Sequence, residues 1–232
     1  MSTVTVTAAD GGSFSAYVAK PSSGTPTAAV VVIQEIFGVN QVMRDLTDAY
    51  AAQGYLAICP DLFWRIEPGI DITDKTEAEW QKAFDLFGKF DVDMGVKDLI
   101  ATLAHVRGMD GCNGKAGSVG YCLGGKLAYL MATRSDADAN VSFYGVGLDE
   151  LIGEADKITR PYLCHVAEKD GFVPPEAQAT FVPVLEANSH ATVHVYKGQD
   201  HAFARVGGQH YDKASADLAN GRTTEFFKAH LA

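Results

Sequence analysis

The sequence predicts an α/β protein, a doubly wound and mostly parallel sheet flanked by helices, organised as a single domain over residues 1–232. Three observations carry this reading. Short apolar, β-branched runs such as Ala28 to Ile33 have the signature of strands buried on both faces. Those runs alternate along the chain with stretches of helical periodicity, which is the pattern of a parallel sheet with crossover helices. The chain has 232 residues, 47% of them apolar, with a mean hydropathy of −0.01, so one substantial core can form.

Val4 to Val6 and Phe14 to Ala19 flank the turn signal Asp10-Gly11-Gly12 and read as an opening hairpin. After the Ala28–Ile33 strand, Asn40 caps a helix that carries Val42, Leu46, Ala49 and Tyr50 on one face and ends at Gly54. Tyr55 to Cys59 is a second buried strand, stopped by Pro60. Residues 61 to 90 are irregular and rich in aromatics and acids, with Thr76 to Phe87 of helical character. Asp91 to Arg107 is a helix whose apolar stripe is Val92, Val96, Leu99, Ile100, Leu103 and Val106. A strand from Lys115 to Val119, a Gly-rich turn and a helix through Ala132 follow. Val141 to Tyr144, Tyr162 to Ala167 and Thr192 to Tyr196 complete the strands; Pro175 to Ala187 and Tyr211 to His230 are the last helices.

The formal charge of −10 argues against nucleic acid, whose binding draws on Lys and Arg. Met1 to Asp10 has neither a basic start nor an apolar core, so no signal peptide is expected there. No apolar run approaches the ~18 residues of a membrane span, so no membrane partner is expected. Four widely spaced cysteines, Cys59, Cys112, Cys122 and Cys164, read as reduced thiols of a cytoplasmic protein. Cys59 and Cys164 lie within strands and read as small core residues.

Cys122 sits in a different setting, Gly120-Tyr121-Cys122-Leu123-Gly124-Gly125, between a predicted strand and a predicted helix. This is the Gly-x-nucleophile-x-Gly form of a nucleophile elbow, with Cys where Ser is commoner. The turn holds the nucleophile in a strained conformation, so only small residues fit two positions either side. The helix N-terminus offers amides to a developing oxyanion and favours a thiolate. The competing structural reading is a buried Cys in a Gly-rich turn. A nucleophile needs a base, and the base an orienting acid. In chain order nucleophile–acid–base, Asp170 follows the Tyr162–Ala167 strand and His201 follows the Thr192–Tyr196 strand, where catalytic loops belong. His165 and His194 lie within strands, His105 within a helix and His230 near the C-terminus; His190 and His210 lie in loops at no strand exit. Glu168 and Asp200 compete with Asp170, Asp200 reading as a turn former.

With Gln34-Glu35-Ile36-Phe37-Gly38, Cys59-Pro60-Asp61-Leu62, Tyr144-Gly145-Val146-Gly147 and His201-Ala202-Phe203-Ala204-Arg205 added to the elbow, the chain resembles the dienelactone hydrolases (carboxymethylenebutenolidases) over almost its whole length. The resemblance implies an α/β-hydrolase fold, a triad of Cys122, Asp170 and His201, and hydrolysis of a small lactone or ester through an acyl-enzyme. It also implies an oxyanion hole from the Leu123 and Ile36 amides, a role for Glu35 beside the thiol, and Arg205 against a substrate carboxylate. Phe37 and Tyr144 join the substrate-facing set. Two departures stand out: Trp80 occupies the place of a second substrate-binding arginine, and Ala202 replaces a serine after the histidine. An indole suits a flat, less charged group, because it stacks well and carries no charge.

No metal or organic cofactor is expected. Gly145-Val146-Gly147 lacks the third glycine of a dinucleotide motif, and Asp91-Val92-Asp93 lacks the rest of a calcium loop. Two other readings stay open, a carboxylesterase or lactonase for less charged substrates and a non-catalytic thiol sensor or binding protein. A monomer is the expected state.

Overall fold

The structure, a computed structural model, describes residues 2–22 and 24–232. The chain forms two compact units, one through Gly117 and one from Ser118. In the first, β1 (Ser2–Thr7) and β2 (Ser13–Ala19) form the expected antiparallel hairpin, and the order runs β1-β2-β4-β3. β3 (Thr27–Ile33) and β4 (Leu56–Pro60) pair in parallel, while β2 and β4 are antiparallel. Pro60 does not stop β4 short: it is the strand's last residue, opposite Ala16 at the antiparallel end. α1 (Gln41–Ala52) is capped by the Asn40 side chain, which accepts from the Met43 amide at 3.2 Å.

α2 (Glu77–Lys89) starts at Thr76, and α3 (Val92–Arg107) starts at Asp91. The core face of α3 differs from the predicted stripe. Ile100 is exposed, whereas Asp98 and Thr102 are buried beside Val96, Leu99, Leu103 and Val106. Asp98 is buried because Arg65 grips both its oxygens (3.0 and 2.8 Å) and the Trp64 indole donates to it at 2.8 Å. That cluster ties the irregular 61–70 segment to α3.

β5 (Cys112–Tyr121) straddles the boundary, and the second unit orders its strands β5-β6-β7-β8, all parallel, with β6 Asn140–Phe143, β7 Tyr162–Ala167 and β8 Ala191–Tyr196. α4 (Leu123–Arg134), a 3₁₀ turn (Ile152–Lys157), α5 (Pro175–Glu186) and α6 (Lys213–Leu231) connect or follow them. β6 and β7 are buried at every residue, as the apolar runs require. Tyr144, read as the end of a strand, lies just past β6 with φ at +39°. Among the described residues, no helix is long and apolar enough to cross a membrane.

Candidate active site

The second unit gathers its chemistry at the C-terminal ends of its parallel strands. Cys122, the N-cap of α4, lies at φ 57° and ψ −115°, outside the regions that residues with side chains prefer. Its amide donates to the Phe143 carbonyl at 3.1 Å, and its carbonyl accepts from Lys126 at 3.1 Å, closing the first helical turn. Glycine is obligatory here: a Cβ at position 120 would come within 1.8 Å of the Gly124 carbonyl oxygen, and one at 125 within 2.6 Å of that of Phe143. Leu123 opens α4, so its amide has no partner within the helix and points from the positive end of the dipole.

Cys122 is half-buried, whereas Cys59 and Cys164 are wholly buried, with burial pushing their thiols up to about 12. The sequence distinction between core and reactive cysteines is thus visible in their surroundings.

Asp170 and His201 lie side by side. The His201 Nδ1 lies 3.0 and 2.9 Å from the two Asp170 oxygens, with side-chain exposures of 10% and 1%. The Cys122 thiol lies near enough to the same imidazole to favour its charge. Burial alone disfavours an imidazolium, but the charge and hydrogen bonds of Cys122 and Asp170 outweigh it and lift His201 to about 10. Set between Cys122 and Asp170, the imidazole is held in its protonated form well above the usual histidine range.

Asp200 turns out to hold the two loops together. Its Oδ1 accepts from the amides of Gly171 (2.9 Å) and His201 (2.7 Å), and its Oδ2 lies 3.1 Å from His210 Nδ1. Burial would raise its carboxyl, yet those amides and the His210 charge bring it below the usual carboxylate value. Glu168 serves the same junction, accepting from Gly198 at 2.8 Å. Neither carboxylate competes with Asp170 for the imidazole.

Two aromatic rings flank His201. Tyr144 sits with its centroid at 5.2 Å and Phe172 at 4.8 Å, both edge-on. Residues with side chains and positive φ among those described are Cys122, Tyr144 and Ala202, and all three belong to this cluster. Ala202, at φ 62°, makes the tight turn just after the histidine, and Arg205 follows with its amide on the Ala202 carbonyl at 2.9 Å. A Cβ at Gly208 would lie 2.9 Å from Arg205 Nε, so glycine there leaves room for the guanidinium stem.

In the first unit, Glu35, Ile36 and Phe37 follow β3 and are almost fully buried. Phe37 packs edge-on against Trp80 at 5.1 Å, and Trp80 stacks on half-exposed Phe84 at 5.5 Å. The Trp80 Nε1–H donates to the Asp74 carbonyl at 2.9 Å, so its one polar group is already engaged. Phe172 escaped the sequence reading, and Asp200, read there as a turn former, joins two loops. A catalytic-looking Asp-x-Phe stretch and an Asp preceding the histidine were visible, but which groups they touch depends on folding two distant loops together.

A cysteine elbow on a parallel sheet, with an acid and a base on later strand exits, defines an α/β-hydrolase, an enzyme that acts on ester or lactone bonds. More particularly, the chain belongs to the dienelactone hydrolase family, whose model matches residues 14–231. It is 57% identical to a protein of Azospirillum brasilense named "Putative carboxymethylenebutenolidase", over 100% of both chains. It is 38% identical to carboxymethylenebutenolidase 1 of Cupriavidus pinatubonensis, over 96% of this chain and 94% of that one. Among solved structures it is similar to a "Putative Dienelactone Hydrolase" of Klebsiella pneumoniae, with a TM-score of 0.84 and 27% identity, covering 99% and 100% of the two chains.

Proposed function

We propose that the protein hydrolyses a small lactone or ester of the dienelactone type through an acyl-enzyme on Cys122. The observation that carries this reading is the strained, half-buried Cys122 within reach of an imidazole that Asp170 orients at 2.9 Å. The Cys122 thiolate attacks the carbonyl carbon, forming a C–S bond and moving the carbonyl electron pair onto oxygen. The Leu123 amide, joined by that of Ile36 in the family's pattern, stabilises this oxyanion. On collapse the ester C–O bond breaks, and the departing oxygen takes the proton of the His201 imidazolium. Neutral His201 then accepts a proton from water as the water oxygen attacks the thioester carbonyl. The C–S bond breaks, and carboxylic acid and the starting ion pair result. Asp170 keeps Nδ1 protonated, leaving Nε2 to work.

In this reading Glu35 modulates the thiol, Tyr144 and Phe37 line the substrate, and Arg205 binds a substrate carboxylate. Trp80 in place of a second arginine weakens the hold on anionic lactones and favours flatter, less charged acyl or alcohol groups. The chain acts as one domain and as a cytoplasmic monomer, with no cofactor. The family model's span over residues 14–231 supports the single domain.

The deciding experiment is a panel of lactones and esters assayed with rapid acid quench and intact-mass measurement. A mass increment on Cys122 equal to the acyl group, absent from Cys122→Ala, is the expected result. Turnover without any covalent increment under single-turnover conditions overturns the acyl-enzyme. On the same panel Arg205→Ala should lose roughly ten- to a hundred-fold in kcat/KM on carboxylate-bearing substrates alone, and Trp80→Arg should shift the ratio toward them. Equal losses on neutral esters would make Arg205 structural.

A further inference from the structure

Gln34 is the first residue past β3, and its side chain is sealed from solvent at 0% exposure. A buried amide side chain is costly unless its polar atoms find partners, so the partners show what it does. Its Oε1 accepts from the Leu62 amide at 3.0 Å, and its Nε2 donates to the Glu35 carbonyl at 3.3 Å. The Leu62 N–H settles which end is which, since a donor can face only the oxygen of the side chain. One side chain therefore joins the exit of β3 to the chain just past β4.

The Leu62 end is a firm anchor. The Asp61 amide donates to the Ser15 carbonyl of β2 at 2.9 Å, and the Asp61 carboxylate accepts from the amides of Phe63 at 3.1 Å and Gly69 at 2.7 Å. The loop that Gln34 opens is pinned at its other end as well. The Phe37 carbonyl accepts from the Ile72 amide at 3.2 Å, and a Cβ at Gly38 would come within 2.0 Å of the Ile70 carbonyl oxygen. Between these two supports lies the Glu35–Ile36 peptide.

That peptide is a rigid plate. It is planar and trans, so the Glu35 carbonyl and the Ile36 N–H point in opposite directions, and holding one aims the other. Ile36 is 5% exposed, and among the described residues none accepts a hydrogen bond from its amide. A withdrawn N–H that no protein group uses suits an oxygen brought by a ligand.

The two amides of the oxyanion pair proposed above are held by different means. Leu123 opens α4, and a 12-residue helix fixes its plane. Ile36 stands in the loop between β3 and α1, where neither a helix nor a strand ladder does so. We infer that Gln34 is a positioning residue for the reaction: its side-chain amide locks the Glu35–Ile36 peptide in the orientation that presents the Ile36 N–H to the developing oxyanion. With both its ends engaged and no exposed surface, Gln34 works through the backbone and not on the substrate. A preorganised amide needs no reorientation as charge builds on the oxygen, which is where such donors gain their effect.

This inference rests on the acyl-enzyme reading and on the oxyanion role given there to Ile36, and the experiment separates the failures. Wild type is compared with Gln34→Met, which keeps length and bulk and removes both hydrogen bonds. Acylation by phenyl acetate and deacylation of the acetyl-enzyme are followed by single-turnover quench and intact mass. Alkylation of Cys122 by iodoacetamide is followed by peptide mapping. Acylation and deacylation each raise an oxyanion on the same carbonyl, whereas alkylation displaces iodide at a saturated carbon and raises none. Loss of one oxyanion donor outright costs about 10²–10³ in rate, so Gln34→Met should slow acylation and deacylation alike, each roughly ten- to a hundred-fold. Alkylation should change less than about two-fold, because it draws on the thiol and not on the amide. A matching loss in alkylation would mean that Gln34 only braces the fold around the thiol, and loss in one half-reaction alone, or in neither, would overturn the lock. If wild type forms no acetylated Cys122, the acyl-enzyme reading fails first and takes this inference with it. Should Gln34→Met lose its fold by circular dichroism, Gln34→Asn gives the same comparison, since it keeps an amide but is one methylene short of spanning both partners.

Discussion

His201 and His165 lie in the same unit of the chain, both withdrawn from solvent, and their imidazoles are driven in opposite directions. His165 is fully buried in β7, with Nδ1 2.8 Å from the Tyr196 hydroxyl and Nε2 3.0 Å from Thr223 Oγ1. The Thr223 hydroxyl donates to the Ala219 carbonyl at 3.0 Å, so it accepts from His165, and the Tyr196 hydroxyl donates to Nδ1. Every bond is satisfied by a neutral ring. Burial, with the nearby His194 and Arg222 charges, holds His165 well below the usual histidine value. His201 is also largely withdrawn from solvent, but its partners are a carboxylate and a thiol, and it stays protonated to about 10. Burial sets what is at stake, and the charge of the partners decides the sign.

The comparison breaks most visibly at Cys122. Cys122→Ala should abolish hydrolysis, at least a thousand-fold, in a folded protein, since the elbow tolerates a small side chain. Iodoacetamide should label Cys122 well before Cys59 or Cys164, read by peptide mapping, because burial holds those two thiols protonated. Asp170→Asn removes the charge and keeps the shape, so His201 should become more like His165. Activity should fall roughly a thousand-fold or more, and the alkaline limb of the pH–rate profile should move below 10. A variant with unchanged activity and profile would dissolve the contrast.

The two histidines also tilt stability against pH in opposite ways. The raised His201 adds stability that is full below its unfolded value near 6.5 and lost as pH rises through about 10. The depressed His165 contributes stability present above 6.5 and lost as pH falls below it. Denaturant midpoints across pH should show both slopes, His201→Gln flattening the alkaline one and His165→Gln the acidic one. The smallest effect on catalysis belongs to His165→Gln. It should cost about 1–3 kcal/mol of stability by loosening a buried hydrogen-bonded network, while kcat/KM on a neutral ester changes less than two-fold. A large activity loss with stability intact would put His165 in the reaction.

The same contrast explains what could be read from the residues. The elbow is a local spacing rule, and a strand followed by a loop with Asp170 or His201 is a local pattern, so the placement of Cys122, Asp170 and His201 after their strands was legible before any coordinates. So was the cap at Asn40, because the capping residue and its amide lie within one turn, whereas Thr76 and Asp91, read as the first residues of their helices, cap them. What was not legible depends on distant partners. Asp98 lies outside the apolar stripe predicted for α3, and its burial depends on Arg65, 33 positions away. The role of Asp200 is settled by Gly171, 29 positions earlier. The left-handed backbone at Tyr144 and Ala202 carries no sequence mark, since neither is Gly or Asn.

One carboxylate oxygen of Asp200 takes both the Gly171 and the His201 amides, a rivet between the loops of Asp170 and His201 beside the Glu168–Gly198 and Lys169–Gln199 bonds. These bonds fix Asp170 and His201 relative to each other, apart from the bonds that hold the Cys122 elbow. Loosening the rivet would let the histidine lose its acid before it loses its cysteine.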